Sequence, residues 1–192
     1  MKTHTFAVIK EYADRLNRTI SDLDGERVSE WCCRFQQHWR EGSQFFLCGN
    51  GGSAANAIHL ANDFLYGVAP VDAPAMRVIA LPANPSVLTC LGNDVGYEYI
   101  FSQQLETLGQ KGDLLMVFSG SGNSPNVVEA LKVAKRVGIE TYAILGFSGG
   151  KCKDLADHVM HFEVDDMQIA EDLQLIIGHM LMKWLHEHGR GE

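Results

Sequence analysis

The segment Phe45-Phe46-Leu47-Cys48-Gly49-Asn50-Gly51-Gly52-Ser53 decides how this chain is read. Four apolar residues run straight into a glycine turn, and the residues after it, as far as Tyr66, carry apolar side chains at helical spacing. That is how a buried strand hands over to a helix. The unit recurs: Asp113–Phe118 runs into Ser119-Gly120-Ser121-Gly122-Asn123-Ser124-Pro125, with a helical pattern over 124–137. Tyr142–Leu145 likewise ends in Gly146-Phe147-Ser148-Gly149-Gly150-Lys151. Met76–Leu81, followed by Pro82 and Pro85, and Val159–Phe162 supply two more short strands; residues 97–108 and 167–187 read as helices. Five continuous apolar strands separated by helices predict an α/β fold, a three-layer sandwich on a five-stranded parallel sheet covered on both faces.

Upstream, Phe6, Ile9, Tyr12 and Leu16, then Val28, Trp31, Cys32, Phe35 and Trp39, fall at helical spacing with a break near Asp22–Gly25. Two helices therefore precede the first strand. We expect a single domain over 1–192, with 1–42 a helical extension that packs against another subunit. The 192 residues are 46% hydrophobic and 21% charged, which excludes disorder and collagen-like repetition. Sixteen Lys and Arg against 24 Asp and Glu give a net charge of −8, which argues against a nucleic-acid surface. An anionic small molecule remains compatible, because backbone N–H groups bind one locally. The five cysteines are odd in number and form no CxxC, so neither a disulfide framework nor a zinc-finger spacing is visible. The first residues are too polar for a signal peptide and no apolar run reaches the roughly 18 residues of a membrane span, so a cytoplasmic protein without a membrane partner is expected.

Glycine is in excess, 19 residues against about 13 for a chain of average usage. Eight of the 19 lie in the three loops quoted above, at the carboxyl ends of strands, where open parallel sheets bind ligands. Gly49, Gly51 and Ala54 fit G-x-G-x-x-A, but the next strand ends in Leu81-Pro82-Ala83-Asn84 with no acidic residue for a ribose, which disfavours a dinucleotide. In the same loop Ser53 is placed to cap the helix or to bind a ligand hydroxyl. The loop Ser119–Asn126 is more telling. Its serines and glycines lie between a strand and a helix whose start is marked by Ser124 at the cap and Pro125 in the first turn. Hydroxyls, loop amides and a helix N-terminus make a phosphate cradle without net positive charge. No G-x-x-x-x-G-K-[ST] is present, since Gly146–Lys151 has the wrong spacing, which disfavours a nucleoside triphosphate.

Four segments taken together, Cys48–Ser53, Ile58-His59-Leu60-Ala61-Asn62-Asp63, Gly92-Asn93-Asp94-Val95-Gly96-Tyr97 and Phe118–Ser124, resemble the sugar isomerase (SIS) fold. Within it they resemble the phosphoheptose isomerase branch, over about residues 5–188. The resemblance implies a homotetramer that interconverts sedoheptulose 7-phosphate and D-glycero-D-manno-heptose 7-phosphate, for the heptose of bacterial lipopolysaccharide or capsule. By matching positions, Ser53, Ser119, Ser121 and Ser124 would hold the phosphate and sugar end, with Asn50, Gly51 and Asp94 lining the site. The family's His-x-x-x-Glu and Gln-x7-His meet at a subunit interface, bind zinc and supply base and acid; here they read His59-x-x-x-Asp63 and Glu171-x7-His179. One zinc per subunit on His59, Asp63, Glu171 and His179 is implied, with Glu171 also touching substrate. The residues support this, since His59 and Asp63 are four apart on one helix face and Glu171 and His179 are two turns apart on another. Asp63 would be the base and His179 the acid of an enediol proton transfer. The chain departs from the family pattern at Asp63, at Glu171, at Gly120 where threonine is usual and at Gln168 where aspartate is common. The competing reading is a non-catalytic SIS protein, either a sugar-phosphate sensor or a factor that binds the replication initiator DnaA. Retention of His59, a carboxylate at 63 and His179 favours the enzyme.

Overall fold

A computed structural model describes residues 2–69 and 74–190, with side chains from Phe6 onward. Two helices, α1 (Lys2–Ser21) and α2 (Gly25–Glu41), precede the first strand as expected. The carboxylate of Asp24 accepts from the N–H groups of Glu26 and Arg27, both at 3.1 Å, and so starts α2. The chain continues through β1 (Gln44–Cys48), α3 (Gly52–Asn62) and a π turn over Asp63–Gly67, then β2 (Arg77–Ala80), α4 (Pro85–Asp94) and α5 (Ser102–Leu108). It ends with β3 (Leu114–Ser119), α6 (Pro125–Val137), β4 (Glu140–Leu145), α7 (Gly150–Leu155), β5 (His158–His161) and α8 (Met167–His188). Among the described residues no helix is long and apolar enough to cross a membrane.

The five strands form one parallel sheet in the order β2-β1-β3-β4-β5, with registers such as Phe45↔Leu114 and Leu115↔Thr141. The chain leaves β1 toward β2 on one side and returns as β3 on the other. The crevice beyond the carboxyl ends of β1 and β3 is therefore the switch point where such sheets hold ligands. Alternation along the strands feeds two cores. Phe45, Leu47, Met116, Phe118 and Ile144 pack with Trp31, Phe35, Leu60, Ile177 and Leu181 from α2, α3 and α8. Phe46, Leu115, Val117 and Leu145 pack with Leu105, Val127 and Leu131 from α5 and α6.

At the amino edge of the sheet Glu140 ties α2 to the strands. Its Oε2 meets Nε2 of His38 at 3.0 Å, its Oε1 meets Nε2 of His158 at 2.8 Å, and the Tyr142 hydroxyl donates to Oε1 at 2.8 Å. Two short helices, α4 and α7, were not expected. Asn84 accepts from the N–H groups of Ser86 (3.1 Å) and Val87 (3.3 Å), which makes Pro85 a first-turn residue of α4. The stretch 97–108 divides into a tight turn over Tyr97–Tyr99 and α5.

Candidate active site

A cavity of about 260 Å³ lies beyond β1 and β3, lined by Asn50–Ser53, Phe118–Ser121, Ser124, Met167 and Glu171. Its floor is held by a reciprocal pair of amides. Nδ2 of Asn50 donates to Oδ1 of Asn126 and Nδ2 of Asn126 donates back to Oδ1 of Asn50, both at 2.8 Å, and the Tyr97 hydroxyl donates to Asn50 Oδ1 at 3.1 Å. Asn126 is buried, so this pair fixes the loop after β1 against the start of α6.

The serine hydroxyls are oriented before any ligand arrives. Ser119 Oγ accepts the N–H of Gly122 at 3.0 Å, and Ser121 Oγ accepts the N–H of Asn123 at 3.2 Å. A hydroxyl that accepts from a fixed N–H keeps its own proton to donate. With the N-termini of α3 and α6 opening on the cavity, donors converge where no Lys or Arg lines the wall. Ser124 stands at the N-cap position of α6 but makes no capping bond through its side chain; Ser53 lies inside α3, whose N-cap is Gly51.

Asp94 is not among the lining residues. It ends α4, where it accepts from Asn93 Nδ2 at 2.7 Å and from Cys90 Sγ at 3.5 Å, and it is Tyr97 of the same segment that reaches the site. The third glycine loop, 146–150, also stays outside. Gly122 has φ +65°, and a Cβ there would strike the carbonyl of Gly149, so the third loop packs against the second. Cys152 N–H donates to the Gly122 carbonyl at 3.0 Å and Lys151 N–H to Asn123 Oδ1 at 3.1 Å. Those glycines buttress the cradle. At Gly120, a Cβ would meet the Met167 sulfur, so the missing side chain goes with the methionine that fills its space. Gln168 lies in the first turn of α8, and its N–H donates to the capping carboxylate of Asp166 at 3.1 Å.

Further along α3 and α8 the histidines converge. Nε2 of His59 lies 3.1 Å from Nε2 of His179, and each is 3.4 Å from Oδ2 of Asp63. The approach depends on Gly178, because a Cβ there would run into the Leu60 side chain where α3 and α8 cross. Asp63 stands where the α-helix widens into the π turn, a local feature frequent at functional sites. Metal–nitrogen bonds of 2.0–2.1 Å at tetrahedral angles set donors about 3.3 Å apart. The triangle of His59, Asp63 and His179 therefore has the dimensions of one face of a zinc shell, and it leaves a fourth position open. Glu171 does not join it. Eight residues earlier on α8, about 12 Å along the axis, its carboxylate lies against Gly52 at the cavity. Among the described residues, the expected four-ligand group is thus a group of three potential ligands within one chain.

Asn126, Gln174 and Tyr97 are the structural residues that sequence reasoning missed. Gln174 carried a signal, being a polar residue between Leu173 and Leu175 on an apolar helix face, where burial demands a partner.

The SIS domain family matches residues 10–146 of this chain. The phosphoheptose isomerase of Akkermansia muciniphila is 42% identical over 158 residues, 82% of each chain. That of Chlorobaculum parvum is 38% identical over 176 residues, 90% of this chain and 83% of the other. Among solved structures, a phosphoheptose isomerase from Neisseria gonorrhoeae is similar with a TM-score of 0.88 at 26% identity, covering 97% of this chain and 100% of that one. One from Francisella tularensis, with a TM-score of 0.90 at 22% identity, shares the fold over 97% of this chain and 99% of its own. By its matched domain and its curated relatives, the chain belongs to the phosphoheptose isomerase family of SIS-domain proteins.

Proposed function

We propose that this chain interconverts sedoheptulose 7-phosphate and D-glycero-D-manno-heptose 7-phosphate, as an aldose–ketose isomerase in cytoplasmic synthesis of heptose for lipopolysaccharide or capsule. The observation that carries this reading is the pairing, on one helix pair, of a donor-lined anion cavity with a His59–Asp63–His179 cluster able to move protons. Asp63 turns Oδ2 to the two imidazoles. Its Oδ1, which has the Asn62 amide at 3.4 Å, is left to take the proton from the carbon beside the carbonyl. His179 protonates the carbonyl oxygen as the enediol forms; Asp63 then returns its proton to the former carbonyl carbon while the neighbouring hydroxyl gives its proton to His179 and becomes the new carbonyl, which restores both groups. Zinc held by His59, Asp63 and His179 would supply a Lewis acid for that oxygen.

Cavity and cluster lie apart within one chain, since Gly52 to His59 spans seven residues of α3, about 10 Å of axis. The cluster is also open: the His59 and His179 side chains are 52% and 50% exposed, and Ile58, Leu65 and Tyr66 stand exposed on the same segment. These features support a homotetramer in which the cluster of one copy faces the cavity of another. Glu171 then contacts substrate and completes the zinc shell across that interface. Phe6, Val8 and Ile9, exposed on α1, supply apolar surface for the same assembly. A purely sugar-phosphate-binding role is not favoured, because the proton-moving groups are retained and converge.

The test is incubation of the purified protein with sedoheptulose 7-phosphate, with and without zinc, following heptose 7-phosphate by NMR. Turnover that falls on chelation and returns with zinc is expected. Absence of turnover while the sugar phosphate still raises the melting temperature would replace the catalytic reading with a binding one.

A further inference from the structure

Ser53 lines the cavity, yet its hydroxyl has no backbone N–H to orient it as those of Ser119 and Ser121 do; its partner is the side chain of Gln174, from α8, at 3.0 Å. Gln174 is wholly buried, and Ser53 and Asn56 are nearly so. The direction of this bond follows from one backbone carbonyl. The side chain of Asn56 bonds the main-chain oxygen of Glu171 at 2.9 Å, and a carbonyl oxygen only accepts, so that atom of Asn56 is Nδ2. The same Nδ2 bonds Gln174 at 2.9 Å, which makes the facing atom of Gln174 its oxygen. The other end of the Gln174 amide is then Nε2, and it donates to Ser53 Oγ.

We propose that Gln174 is a positioning residue for the anion cradle: held by Asn56, it obliges the Ser53 hydroxyl to accept, so that the serine proton is presented to the phosphate end of the substrate. With Gln174, three of the four serine hydroxyls that line the cavity, those of Ser53, Ser119 and Ser121, become donors, two set by loop amides and the third by a side chain of α8. The inference rests on the anion-cradle part of the proposed function and needs no turnover for its test.

The test is a double-mutant cycle on the purified protein with inorganic phosphate as the probe, its Kd read by NMR titration. Ser53→Ala is expected to weaken phosphate about thirtyfold, and Gln174→Met about tenfold, as for loss and for disorientation of a hydrogen bond to a charged group. In the Ser53→Ala background Gln174→Met should change Kd less than twofold, because nothing is left for Gln174 to orient. With sedoheptulose 7-phosphate, the Gln174→Met loss should fall on KM rather than on kcat. Asn56→Asp, on a different helix, reverses the chain of bonds by presenting an acceptor to Gln174 and should also weaken phosphate about tenfold. Equal effects of Gln174→Met in the two backgrounds, or a wild-type Kd in Asn56→Asp, would overturn the proposal, as would a wild-type protein that binds no phosphate. A wild type that binds phosphate but isomerises nothing would instead overturn the isomerase reading.

Discussion

The cavity at β1 and β3 and the cluster on α3 and α8 are built on opposite plans. In the cavity four polar side chains are oriented inside the chain: Ser119 by the Gly122 amide, Ser121 by the Asn123 amide, Ser53 by Gln174, and Asn50 by Asn126. Among the described residues, Glu171 is the one ionisable side chain that lines it, and no Lys or Arg does. The cluster has three ionisable groups in mutual reach, His59, Asp63 and His179, which could hold a metal ion, and its two imidazoles stand half exposed. A phosphate is the same anion before and after the reaction and is best met by donors that need no rearrangement. A proton-transfer site must change its charge state, and its groups have to stay titratable. On the function proposed above, the difference separates binding from chemistry, and each should be breakable without the other.

The largest effect is expected at the cluster. His179→Ala should lower kcat by about a thousandfold or more, within the range for loss of a general acid, while the Kd for inorganic phosphate stays within twofold. Stopped assays and phosphate titration of one preparation check both halves, and loss of phosphate affinity would contradict the division. A smaller effect of the opposite kind is expected at the cavity. Ser121→Ala should raise KM about thirtyfold and leave zinc content, measured by atomic absorption, unchanged. The smallest belongs to a region that touches neither. Burial pushes the Glu140 carboxyl up, but the Tyr142 hydroxyl and the His38 and His158 imidazoles outweigh it and hold it below the usual carboxylate range. A carboxylate held low in the folded state adds stability above its unfolded pKa and loses it as pH falls through the folded one. Glu140→Gln should therefore cost about 1 kcal/mol at pH 7, flatten the acid side of the stability curve, and leave both kcat and phosphate affinity alone.

Much of this was legible from local chemistry. Phe45–Cys48 and Leu114–Phe118 are apolar without alternation because both faces of their sheet are covered, and the glycine turns after them marked where ligands go. What failed depended on distant packing. Gly149 and Gly150 have the composition of a ligand loop but are spent on Gly122 and Asn123, contacts no local pattern encodes. The partner of Ser53 lies 121 residues away at Gln174, and Asp94 was carried by a family motif from which Tyr97, not Asp94, bonds the cavity residue Asn50. The separation of Glu171 from His179 could have been had from helix rise alone, since eight residues span more than two short side chains can bridge.

The central claim, that each active site joins the cavity of one copy to the cluster of another, is tested by co-expressing two inactive chains. One carries Ser53→Ala and Ser119→Ala in the cavity, the other His179→Ala in the cluster, and the mixed oligomer is assayed for sedoheptulose 7-phosphate turnover below the KM of the cavity variant. Because random assembly pairs an intact cavity with an intact cluster about one time in four, the mixture should regain about a quarter of wild-type activity while each variant alone has almost none. Mixed oligomers as inactive as their parents would contradict the claim and place the whole site within one chain.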